Sequence, residues 1–94
     1  MATSKIKNQT MTTLEFGTSV EIQPNTNNRV VIPITTPNGY KPIGIVAYDL
    51  GTQFFTAFTY YVNANNNEAV INVRSNRSDA VTITCKATVL FAPI

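Results

Sequence analysis

The stretch Ala80–Phe91, AVTITCKATVLF, decides the fold class. Val81, Ile83, Cys85, Ala87, Val89 and Phe91 recur at every second position, with Thr82, Thr84, Lys86 and Thr88 between them. Successive side chains of a strand point to opposite faces, so this run buries one face and wets the other. The same period recurs outward from it. Leu14, Phe16, Val20 and Ile22 fall on one side of a strand, Glu15, Ser19 and Glu21 on the other. Further strands read over 29–35, 43–50, 54–62 and 69–75, separated by loops rich in Asn, Pro, Ser and Gly. Pro33 cannot donate to a ladder, which puts its strand at an edge or a bulge. Asn38-Gly39 supplies the positive φ angles of a tight turn. No window has a helical period. The class is all-β, a sandwich or small barrel. Our reading is an antiparallel, jelly-roll-like sandwich over 13–94, with 1–12 as a flexible or docking arm.

Composition narrows the rest. Ninety-four residues make one domain, short enough to be marginally stable alone. One Cys excludes an intrachain disulfide, and the lack of His removes Ser-His and Cys-His catalysis. The net charge is +2 and 13% of residues are charged, about half the usual fraction. Thr, Asn, Ser and Gln must therefore make the wet surface. The seven Lys and Arg are scattered, so no nucleic-acid footprint is expected. No apolar run spans a membrane and no signal peptide is visible, which leads us to expect synthesis in a cytoplasm without secretion.

Strands 43–50 and 54–62 pose a question. In IGIVAYDL, Ile43, Ile45 and Ala47 are expected on one face and Val46, Tyr48 and Leu50 on the other. In FFTAFTYYV, Phe54, Phe58, Tyr60 and Val62 oppose Phe55 and Tyr61. Strands apolar on both faces need cover on both. A neighbouring copy is the simplest supplier, and we expect Tyr48, Phe55 and Tyr61 to pack between subunits.

Catalytic chemistry finds little footing. Glu15 and Glu21 are six residues apart on one strand, about 20 Å, too far for a glycosidase pair. Asp49 with Glu68 is conceivable across strands. Cys85 reads as a buried small hydrophobe. Asp49 reads as a turn cap, and Arg74 and Arg77 bracket a hairpin turn as solvated charges or as one side of an interchain ion pair. No cofactor or metal is expected, and the protein is not expected to be an enzyme. Tyr60-Tyr61 ahead of NANNNE (63–68) resembles a sugar site, where rings stack and amides pair with hydroxyls, although Asn is also a good turn former.

Gly39-Tyr40-Lys41-Pro42-Ile43-Gly44-Ile45, then YYVNANNN (60–67), then VRSNRSDAVTITCKATVLF (73–91) together resemble the head domain at the tip of phage tail fibres and receptor-binding proteins. The resemblance covers roughly 12–92. It implies a trimeric β-sandwich of the virion that binds a host surface component, commonly a saccharide. On that reading Gln53, Tyr60, Asn63, Asn65, Asn66 and Asn67 are the receptor contacts. The partners are two further copies, other virion proteins and a host glycan. Such domains usually follow a long stalk, and only a dozen residues precede this one. A capsid decoration, cementing or head-fibre protein anchored by its arm is therefore the alternative.

Overall fold

Six strands, β1 Thr12–Ile22, β2 Thr26–Pro33, β3 Tyr40–Asp49, β4 Thr56–Asn63, β5 Glu68–Ser75 and β6 Val81–Pro93, form two three-stranded antiparallel sheets. The computed structural model describes residues 10–94. The expected arm therefore lies outside the described residues except for its end, and Thr12, placed in the arm by the sequence, already pairs with Phe91. One sheet has the order β1-β6-β3 and the other β2-β5-β4. Every connection except the β4–β5 hairpin crosses between the sheets. That winding is the jelly-roll one, here with three strands per sheet instead of four.

The two most regular strands take the central places. β6 turns Ile83, Cys85, Ala87, Val89 and Phe91 into the core, as its alternation requires. β5 faces it with Ala69, Ile71 and Val73. Ile22, Val30 and Ile32 from β1 and β2 complete this layer, and Phe16 meets Phe91 edge to face at 6.2 Å. Pro33 ends β2, an edge strand, where its missing N–H costs no ladder bond.

The two-faced strands resolve differently from expectation. β3 slips register on β6 at Ile43 and again at Val46. Each slip is a bulge, an extra residue against one partner, and it shifts the parity of all that follows. Pro42, Ile45 and Tyr48 therefore stand opposite Phe91, Val89 and Ala87 and share their inner face. Gly44 and Ala47 turn outward. Ile43 and Val46 occupy the bulges and stay half exposed. β4 slips likewise at Phe58, which leaves Ala57, Tyr60 and Val62 opposite core residues of β5. Phe54 and Phe55 precede β4 rather than opening it.

Strand direction sets the two ends of the sandwich. β1 starts and β6 finishes at the near end, joined there by segments 34–39 and 64–67. Ile34 N–H donates to the Asn67 carbonyl (3.0 Å) and Ile94 N–H to that of Gly39 (2.9 Å). Of the Asn38-Gly39 pair, only Gly39 has a positive φ, and Tyr40 N–H closes that turn on the Pro37 carbonyl. Segments 23–25, 50–55 and 76–80 lie at the far end, where Asn25 N–H donates to the Arg77 carbonyl (3.1 Å).

Candidate functional site

The six expected receptor contacts do not form one site. Gln53 lies in the far-end segment between β3 and β4, whereas Asn63, Asn65, Asn66 and Asn67 lie at the near end. The eight residues of β4 separate them by about 25 Å. Asn67 is committed to structure. It takes the left-handed conformation (φ 53°) after the short 3-10 turn Ala64–Asn66, and its side-chain oxygen accepts the Thr36 hydroxyl at 3.3 Å. Asn is suited to that conformation, so the loop owes this residue to geometry. Tyr60 is mid-strand, its ring centroid 5.2 Å from that of Tyr48.

The expected subunit contacts also divide. Phe55 is a correction: it is 6% exposed within the chain's own core and has almost no surface to give a neighbour. Tyr61 stands opposite Val70, on the outer face of the β5 sheet. Val70 is fully buried there, flanked across the ladder by Val31 and Tyr61. Tyr48 remains on the side where β3 and β4 run together.

That side is the main apolar surface. Among the described residues, seven of the ten large apolar or aromatic side chains that stand exposed come from positions 43–61, and six of these belong to the edge strands β3 and β4: Ile43, Val46, Tyr48, Phe58 and Tyr60, with Tyr61 on the outer face. The opposite side, β1 with β2, shows Thr, Glu, Ser, Asn and Arg29 and one exposed large apolar side chain, Leu14. Ile43, Val46 and Phe58 were not singled out from the sequence. Their signal was the local break of alternation at IGIV, where Ile45 and Val46 are adjacent and Gly44 intervenes. The three bulges also spoil these edges as templates for strand addition, so a partner would meet side chains rather than a ladder.

At the far end the Arg77 guanidinium lies 4.2 Å over the exposed ring of Phe54. Its Nη2 is 3.7 Å from Asp79, so the ion pair is within the chain, and its Nε–H is buried without an acceptor. Arg77 N–H donates to the hydroxyl of Ser75, the one buried polar residue among the described residues. Asp49 caps a turn, its Oδ1 accepting Gly51 N–H at 2.7 Å. Asp49 at the far end and Glu68 at the near end are too distant to act as a pair.

Cys85 is fully buried on the inner face of β6. Burial pushes its thiol pKa above the ordinary value of 9.0, and the nearby Asp49 charge adds to that. The unfolded chain loses this proton at the ordinary value while the folded chain keeps it. The thiol therefore contributes stability that is intact below pH 9 and is lost as pH rises toward the folded value. We expect the native protein to resist a disulfide reagent at pH 8 and to react once unfolded in urea. The urea midpoint should fall between pH 8 and 9.5 in the wild type and less so in Cys85→Ala.

No helix among the described residues is long and apolar enough to cross a membrane. Comparisons of the chain with family models, with curated proteins and with solved structures found no match.

Proposed function

We propose that this chain is a non-enzymatic structural protein of a phage virion, a trimeric fibre-tip or appendage domain that meets the host surface with the end away from its N-terminus. The observation that carries this reading is the one-sided apolar surface of β3 and β4. A soluble monomer rarely leaves a contiguous apolar patch open. This side exposes Ile43, Val46, Tyr48, Phe58 and Tyr60, with the Tyr48 and Tyr60 rings 5.2 Å apart, and its charges, Lys41 and Asp49, stand near the two ends of β3. One charge of each sign on β3 leaves no net like-charge repulsion against a copy of itself. The likeness of Gly39–Ile45 and of 73–91 to tail-fibre tips supplies the virion setting.

The direction of β1 supports an outward far end. Any segment ahead of Thr12 leaves from the near end, beside the Asn63–Asn67 hairpin. An attachment through that segment turns the far end outward. Gln53, Phe54 and Arg77 are then the better candidates for host contact, and Asn63–Asn67 lie toward the attachment.

The test is solution mass. Light scattering behind a sizing column at micromolar concentration should give about three times the 10.3 kDa chain. A Val46→Glu/Phe58→Glu double variant should be monomeric and folded, since both positions are exposed in the single chain. A wild type that is monomeric throughout would overturn the trimeric reading. Deleting 1–11, which leaves β1 whole, separates the alternatives. Loss of virion attachment with host binding kept supports a fibre tip; loss of the only detectable binding points to a capsid decoration protein.

A further inference from the structure

The outer face of the β5 sheet holds an uncompensated pair of arginines. Arg29 on β2 stands opposite Asn72, and Arg74 on β5 stands opposite Asn27. The two are thus diagonal neighbours on one face, their backbone positions about 7–8 Å apart and their long side chains able to converge from there. Glu68, the one carboxylate on this sheet, starts β5 six residues from Arg74, about 20 Å along the strand. Glu15, Glu21 and Asp49 belong to the other sheet, and Asp79 is with Arg77. Among the described residues neither Arg29 nor Arg74 forms an ion pair.

Arg74 is oriented by neutral groups. Its Nε–H donates to the Asn76 side-chain oxygen at 3.1 Å and its Nη1 to that of Asn27 at 3.5 Å. Amide oxygens fix the guanidinium without cancelling its charge, and among the described residues no carboxylate reaches its other N–H groups. Two like charges side by side on a sheet face oppose folding slightly, and nothing on this half of the face offsets them. A guanidinium fork matches the paired oxygens of a carboxylate or phosphate. Around the pair lie groups that suit hydroxyls: Asn72, whose amide donates to Thr59 at 2.8 Å, and Tyr61, the next outward residue after Thr59 on β4. We propose that this face binds an acidic saccharide, its carboxylate or phosphate seated between Arg29 and Arg74 and its ring hydroxyls on the flanking amides. The biological setting rests on the appendage reading above; the binding face does not depend on the trimer.

Titration calorimetry of the full chain at low salt, with hexagalacturonate and with a phosphate-substituted hexose oligomer as probes, tests this. At least one probe should bind, and the stronger of the two identifies the anion. Maltohexaose, which is neutral, should not. Affinity should fall on adding salt, because the contact is on the surface. Arg29→Gln/Arg74→Gln should weaken binding by about tenfold or more, as expected for losing charge-assisted hydrogen bonds. Lys41→Gln/Lys86→Gln removes the same charge from the other sheet and should leave binding unchanged. Equal loss in both double variants, or no binding of either acidic probe, overturns the proposal. Tighter binding of a dT12 oligonucleotide through the same arginines overturns it in favour of nucleic acid. Lost binding with a trimeric mass removes this site alone, whereas binding kept in a monomer removes the trimeric reading alone.

Discussion

Phe91→Ala is expected to remove about 3–5 kcal/mol of stability, the range for truncating a large aromatic in a core. Phe91 is fully buried on the central strand β6, between Thr12 of β1 and Pro42 of β3. Its ring meets Phe16 edge to face at 72°, an arrangement that adds to its area of burial. Both sheet neighbours of Phe91 are edge strands, so collapse into the cavity would have to drag a whole edge inward. A domain of this length sits near the low end of the usual range of about 5–15 kcal/mol, so the variant should be largely unfolded at room temperature. Phe91→Leu keeps most of the volume and should cost less, about 1–1.5 kcal/mol. Urea unfolding followed by far-UV circular dichroism measures both. A small and equal loss in the two variants would mean that Phe91 does not hold β1 and β3 together.

Phe91 and the rest of β6 were legible because the strict alternation from Val81 to Val89, with Phe91 in phase, leaves a single face for the core. The sandwich class followed from six such runs with turn signals between them. β3 and β4 were misread for a definite reason. Alternation assigns faces only while each residue opposes one partner, and a bulge is a property of the pair of strands. Ile43, Val46 and Phe58 reset the parity of their strands, and their partners on β6 and β5 lie far off in sequence. The apparent second oily face is instead an oily side.

The split of the expected receptor residues was legible and was missed. Consecutive connections of an antiparallel strand lie at its opposite ends, so Gln53 before β4 and Asn63–Asn67 after it could not meet whatever the strand order. The arginine pair was not legible. Arg29 and Arg74 are neighbours only because β2 pairs with β5, and their lack of carboxylates depends on Glu15, Glu21 and Asp49 falling on the other sheet. The composition, with charges few and scattered along the chain, hid a separation that pairing creates in space.

Gly51→Ala should be nearly as damaging as the loss of Phe91, through contact and backbone rather than through a cavity. Gly51 has φ +75°, and a Cβ there would stand 2.6 Å from the carbonyl oxygen of Thr84. That oxygen belongs to the central strand β6 and cannot swing aside as a side chain could. The left-handed conformation costs an alanine about 1–2 kcal/mol, and the forced shift of a well-packed segment about 1–3 kcal/mol more, so roughly 2–5 kcal/mol together. Relief would lift the 50–55 segment away from β6. Leu50 and Phe55, which flank it, are both buried in the core, and Asp49 would lose its bond to the Gly51 N–H. Phe54 would leave the Arg77 guanidinium with them, so the far end should change shape even where the fold survives. Gly39→Ala is the control. Its φ is +84°, but a Cβ there meets nothing within 4 Å, so it bears the conformational cost alone, about 1–2 kcal/mol. The difference in urea midpoint between the two variants isolates the close approach of Gly51 to Thr84. Equal losses would mean that this approach is absent and that the far-end loop is held by its buried side chains only.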